Sequence, residues 1–294
     1  MRRRGTNVIG LLVPQDPITS LVDYETVLGI NQGLEAQGYV LALIRASEVA
    51  PPGPAESGDG PAVGAVSRHP SVVFQERMLD GMVVLGPITP AMCRLVEHIT
   101  PACLWMDTNV LSERNCLRRD EYHAGRLVAT QLVLGGYGKL IYVTPIFHDT
   151  VPHYSYVDRA RGVADVAAEA GVELVERSID FTGPVCEDVI TAMAAWLKPD
   201  VGIITATDRT AMALLVQTSR LGLRPGIDVG LAACDRTEHA QRYWPGLSCV
   251  NVKRFDLGLE AAGMMVQVLK SPQHTCPAKS VQWAWHEGDT TPKV

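Results

Sequence analysis

The stretch VGIITATDRTAMALLVQTSRLGLRPGIDVGLAACD, residues 201–235, decides the fold. It opens on a short β-branched apolar run, passes into apolar residues at helical spacing over 209–221, and closes on a second apolar run after a turn containing Gly and Pro. Both runs are continuous instead of alternating, the pattern of strands covered on two faces. Two such strands joined by a helix form a right-handed βαβ unit of a parallel sheet. Each run ends in a carboxylate, Asp208 and Asp235.

The same rhythm spreads outward. NVIGLLVP (7–14) precedes a helical pattern over 20–38, with Leu21, Tyr24, Val27, Leu28 and Leu34 on one side and Gly38 as the stop. YVLALIRA (39–46), GMVVLGP (81–87) and PACLWMD (101–107) read as further buried strands. A second series follows: a helix over 122–134, the strand KLIYVTP (139–145), a helix over 158–170, the strand VELVERS (172–178) and a helix around 189–197. About eleven strands are too many for one compact sheet in 294 residues. The expected fold class is therefore α/β, with two doubly wound parallel-sheet lobes. Residues 48–67, rich in Pro, Gly, Ala and Ser without apolar period, read as a flexible surface loop. No repeat of the solenoid kind occurs.

Bulk properties narrow the function. Hydrophobic residues at 47% and charged residues at 20% are those of a folded globular chain. A net charge of −6 argues against a surface that holds DNA, RNA or anionic lipid broadly. The seven cysteines are widely spaced, several lie inside apolar runs, and none forms a C-x-x-C pair. They read as reduced, packed thiols of a cytoplasmic protein, with no metal site expected. No run approaches the ~18 apolar residues of a membrane helix. After MRRR the apolar segment 8–14 is too short for a secretory signal and runs into Gln15-Asp16-Pro17.

Signatures of catalysis are lacking. The first strand is followed by PQDPITS where a dinucleotide-binding chain has G-x-G-x-x-G. GGYGKL (135–140) has Leu140 where a phosphate loop has Ser or Thr, and it reads as a helix stop. Neither G-x-S-x-G nor H-E-x-x-H occurs, and His148 and His153 read as polar loop groups. The expectation is a binding protein without catalytic residues or cofactor. What does recur is a polar residue at the carboxyl end of a strand: Asp107, Thr207 with Asp208, and Asp235. Ligands of open α/β sheets sit there, and carboxylates accept hydrogen bonds from polyols. Asp208 is equally placed to cap the following helix and is read as that cap, whereas loop-rich sequence after Asp107 and Asp235 favours ligand contact.

TNVIGLLVP (6–14), LDGMVVLGP (79–87), DEYHAGRLVATQLVLGGYGKLIYVT (120–144), DRARGVADVAAEAG (158–171), the opening stretch, and YWPGLSCVNVKRFDLGLEAAGMMVQVL (243–269) stand in the order of motifs of one family. The chain resembles the effector-binding region of the lactose-repressor (LacI/GalR) transcription regulators, whose fold is that of type I periplasmic sugar-binding proteins. The resemblance implies three crossover segments, an N-terminal lobe of residues 6–118 and 252–279, and a C-terminal lobe of 119–251 and 280–294. It places effector contacts on Asp107, Arg159, Thr207 and Asp235, with Tyr24 able to stack on a sugar ring. Thr207 stands where the family has Asn, Tyr137 where it has His, Val163 where it has an aromatic, and Gly288 where it has Arg. The implied function is sensing of a sugar or similar polar metabolite in an interlobe cleft by a homodimer, with operator DNA contacted through a helix-turn-helix head. On this expectation residues 1–5 are the end of a linker, and the 294 residues alone do not recognise an operator. A stand-alone solute-binding protein and an enzyme on a related scaffold are the alternative classes.

Overall fold

The computed structural model describes residues 5–13, 23–45, 78–146, 152–180 and 194–291. The loop expected at 48–67, His148, most of the helix expected at 189–197 and residues 1–4 lie outside the described residues. Among the described residues the chain runs β1 (Val8–Val13), α1 (Tyr24–Glu35), β2 (Val40–Arg45), β3 (Gly81–Leu85), α2 (Pro90–Ile99), β4 (Cys103–Met106), β5 (Cys116–Arg119) and α3 (Glu121–Leu134). It continues with β6 (Lys139–Pro145), α4 (Tyr154–Ala170), β7 (Glu173–Ile179), β8 (Val201–Thr205), α5 (Asp208–Arg220), β9 (Gly230–Ala233) and α6 (Glu238–Tyr243). The final elements are β10 (Ser248–Asn251), α7 (Arg254–Lys270), β11 (Lys279–Val281) and β12 (Ala284–His286).

These strands form two sheets of six, ordered β11-β5-β4-β3-β1-β2 and β12-β10-β9-β8-β6-β7. Within each sheet the pairs flanking β1 and β6, and the next pairs outward through β4 and β9, are parallel. β12 closes the second sheet antiparallel to β10. The continuous apolar runs of β3 and β8 become strands buried almost throughout, but the run 39–46, expected as a buried strand, forms β2 at the edge of the first sheet with Val40 and Leu43 exposed. β5 and β10–β12, with the sequences CLRR, SCVN, KSV and AWH, lack the continuous apolar run that marks β3 and β8.

Two compact units divide the chain, Met1–Arg118 with Lys253–Ser280, and Arg119–Val252 with Val281–Val294. The chain therefore passes from one unit to the other three times. Each unit is closed by a helix pair at backbone contact. In the first, a Cβ on Gly29 of α1 would stand 2.1 Å from the Phe255 carbonyl oxygen of α7. In the second, a Cβ on Gly162 of α4 would stand 2.3 Å from the Tyr122 carbonyl oxygen of α3. Around the latter pair Val128, Leu132, Tyr142, Val163 and Ile204 make the core.

Helix starts follow side-chain caps that satisfy orphan amides. Asp120 Oδ1 accepts from the His123 amide at 2.9 Å, so α3 begins at Glu121. His153 Nδ1 accepts from the Ser155 amide, which moves the start of α4 to Tyr154, a full turn before the expected 158. After α3, Gly136 takes a φ of +86° and ends the helix, so GGYGKL is a stop and turn leading into β6. Tyr137 in that turn is buried against β8 and β9, where Gly202 and Gly230 leave room for its ring. Gly288 lies against the carbonyl of Gly246, 2.2 Å from where a Cβ would stand, so no arginine fits this backbone there.

Candidate functional site

In the second unit two strands, β8 and β9, and the helix α4 deliver side chains to one neighbourhood at the carboxyl ends of the sheet. β8 extends through Ala206, whose amide donates to the Val143 carbonyl at 2.8 Å, and reaches Thr207. Thr207 has extended backbone and its Oγ1 accepts from the Thr210 amide at 3.3 Å. The cap of α5 is therefore Thr207, which corrects the assignment of that role to Asp208. Asp208 is already helical, and its Oδ2 accepts from the amide and the hydroxyl of Thr237, both at 2.6 Å. That carboxylate ties the loop after β9 to the start of α5. Asp235, just past β9, is half-buried, and its Oδ1 accepts from the Arg236 amide at 2.8 Å.

Arg159, in the second turn of α4, is 2% exposed. Its Nε donates to Glu121 Oε2 at 2.6 Å and its Nη1 to the Ala206 carbonyl at 2.6 Å. Burial works against the guanidinium charge, but Glu121 and then Asp235 outweigh it and raise the pKa above the usual arginine value. Glu121 is 1% exposed and also faces Arg119, whose Nε lies 3.1 Å from Oε1. Trp283 adds a ring to this group: the guanidinium carbons of Arg119 and Arg159 lie 5.3 and 5.4 Å from its centroid, within cation–π range. Tyr156 next to them has its pKa raised by burial. Four buried side chains thus hold one negative and two positive charges, a costly arrangement that persists only with good geometry.

The first unit carries the other two expected residues. Asp107 ends β4 with a φ of +51°, a left-handed conformation that Asp and Asn tolerate better than other side-chain-bearing residues. Its amide donates to the Leu117 carbonyl at 2.8 Å. Non-glycine residues held this way gather at functional positions. Tyr24 is the first residue of α1 and is 66% exposed. His153 is a helix cap, and among the described residues no group of three or more His, Cys, Asp or Glu is arranged to hold a metal ion. Among the same residues no helix is long and apolar enough to cross a membrane.

The periplasmic binding protein-like domain family matches residues 129–291, more than half of the chain. The chain belongs to that family. The HTH-type transcriptional repressor PurR of Vibrio vulnificus is 22% identical over 275 residues, covering 92% of this chain and 76% of the repressor. A LacI family transcriptional regulator from Enterococcus faecium, solved with bound ribose, superposes with a TM-score of 0.75 at 15% identity over 98% of this chain and 99% of that one. A periplasmic binding protein/LacI transcriptional regulator from Alkaliphilus metalliredigens, complexed with D-xylulofuranose, gives 0.71 at 14% identity over 98% and 100%. The fold is thus that of LacI-family regulators, a two-sheet α/β binding architecture.

Within this periplasmic binding protein-like chain the structure brings together Arg159, Asp235 and, through the carbonyl of its neighbour Ala206, Thr207. Asp107 and Tyr24 belong to the other unit. Glu121, Arg119 and Trp283 were not legible as site residues. Glu121 in a first helical turn has the appearance of an ordinary dipole-complementing carboxylate, and nothing local shows that it is buried.

Proposed function

We propose that this chain is the small-molecule-sensing domain of a LacI-type transcription regulator, with a sugar or similar polar metabolite as effector. One observation carries the proposal: a fully buried arginine, kept charged by Glu121 and Asp235, sits at the carboxyl ends of the second sheet beside Thr207 and a half-buried carboxylate. Guanidinium donors and carboxylate acceptors are the pair that recognises polyol hydroxyls. Asp107 ends β4 of the first unit, and its strained backbone supports a contact role there. Tyr24 offers an exposed ring for stacking. The sugar-bound regulators of the same fold favour this class of effector over an enzyme's substrate, and the PurR relative favours a regulator over a stand-alone solute carrier. The domain acts without catalytic residues, as a homodimer, with operator DNA read through a helix-turn-helix head.

The test is a thermal-shift screen with pentoses, hexoses, polyols and purines, on wild type and Asp235→Asn. Asn keeps an oxygen for the Arg236 amide but removes a negative charge that faces Arg159, so the variant is expected to melt somewhat below wild type without ligand, and the ligand-induced gain is read against each protein's own ligand-free midpoint. A ligand at about 100 times its Kd stabilises by about 2.7 kcal/mol, and Asp235→Asn is expected to lose most of that gain. If no compound raises the melting temperature, or Asp235→Asn responds as wild type does, the assignment is wrong.

A further inference from the structure

The chain enters the second unit twice, at Arg119 and at Val281, and the two entering segments are bound to each other. The Asp120 amide donates to the Val281 carbonyl at 2.9 Å, and Gln282 Nε2 donates to Asp120 Oδ2 at 2.8 Å. Directly beside these bonds stand Arg119 and Glu121 on the first segment and Trp283 on the second, and all three contact each other or Arg159. The indole N–H of Trp283 is buried and has no hydrogen-bond partner among the described residues. Such a donor is costly, and a phenylalanine would fill the position without it. What the position requires is an aromatic face, and two guanidiniums share the one present.

We propose that Glu121 and Trp283 are positioning residues that couple Arg159 to both entering segments, so that a ligand engaging Arg159 is registered where the chain joins the second unit. The inference rests on Arg159 as an effector contact. The coupling has a definite physical path. Glu121 divides its two oxygens between Arg159 and Arg119, and the Trp283 ring balances the same two cations. A load that draws Arg159 toward a ligand weakens its hold on Glu121, strengthens the Glu121 attraction for Arg119, and unseats the ring from one cation. The two segments shift with these partners, because Arg119 and Glu121 stand on one of them and Trp283 on the other.

Hydrogen–deuterium exchange on the full chain, without ligand, tests the coupling with Arg159→Lys, Trp283→Leu and Trp283→Phe. Lysine keeps the charge but lacks the planar fork, and leucine removes the aromatic face. Peptides spanning 117–122 and 280–284 are expected to exchange about tenfold faster in Arg159→Lys and Trp283→Leu, a local opening of the size that loss of one desolvated cation–π contact brings. Strands β6 and β7 are expected to stay at the wild-type rate, which separates coupling from general loosening. Trp283→Phe is expected to match wild type in every peptide. Wild-type exchange of those two peptides in Arg159→Lys, or Phe behaving as Leu does, overturns the proposal. Because no ligand is present, this failure is distinct from failure of the sugar screen on Asp235→Asn.

Discussion

Glu121 shows how burial, more than the number of ion pairs, sets the worth of a charge. The α3–α4 pair carries two carboxylate–arginine contacts: Glu121 to Arg159, with both side chains at most 3% exposed, and Glu169 to Arg126, bidentate at 2.7 and 2.8 Å and open to solvent. Removing the buried carboxylate leaves two guanidiniums uncompensated, so Glu121→Leu is expected to cost about 3–5 kcal/mol. Glu169→Ala is expected to leave the midpoint nearly where it was, since screening and side-chain entropy cancel most of an exposed pair. Urea denaturation of the two variants checks both, and a Glu121→Leu midpoint at the wild-type value would show that the buried cluster contributes nothing. Thr207 and Asp235 stand out in the sequence because strand ends are a local pattern, whereas Arg159 is singled out only by the family resemblance. Its buried counter-charge is not legible there, since Glu121 acquires its role only when α3 is laid against α4.

At the scale of elements, the two helix pairs stand on glycines where side chains are excluded by a partner's backbone. In an open helix Gly→Ala stabilises by about 0.5–1 kcal/mol. Gly263 of α7, with nothing within 4 Å of its Cβ position, is expected to follow that rule. Gly29→Ala and Gly162→Ala reverse the sign, because their Cβ atoms would lie 2.1 and 2.3 Å from carbonyl oxygens of the facing helix. Separating the helices enough to admit a methyl is expected to cost about 1–3 kcal/mol net, as other overpacked cores do. Calorimetry of the three variants reads the opposite signs directly, and stabilisation by either buried alanine would refute backbone-contact packing. Sequence periodicity placed both helices but could not tell a contact glycine from a tolerated one. That distinction is made by whichever helix lies opposite, and α7 reaches α1 from the far end of the chain.

Across the whole molecule the two units repeat one plan with different chemistry. Exchanging β6 for β1, and so on outward, converts one strand order into the other, and in each unit the chain arrives on a helix whose buried first residue is charged: Arg254 paired with Asp23, and Glu121 paired with Arg159. The succession of strands and helices along the chain was legible because buried parallel strands are written as apolar runs, whereas the order of strands within each sheet and the repeat were not, since pairing is set by packing and these equivalent positions carry opposite charges. Buried thiols are also common to both units: Cys103 in the first and Cys234 and Cys249 in the second are each pushed up to about 12 by burial. Unfolding returns them to an ordinary value near 9.0. Between those values the unfolded chain releases protons that the folded chain retains, so stability is whole below pH 9 and falls as pH rises toward 12. Each thiol then removes about 1.4 kcal/mol per pH unit. Urea midpoints are expected to be flat from pH 7 to 8.5 and to decline above 9, with the decline shallower in Cys103→Ala, Cys234→Ala and Cys249→Ala. Between pH 9 and 10 lysine and tyrosine have yet to titrate in full, so the three variants isolate the thiol contribution, and an unchanged slope in all of them would mean that the buried thiols ionise without cost.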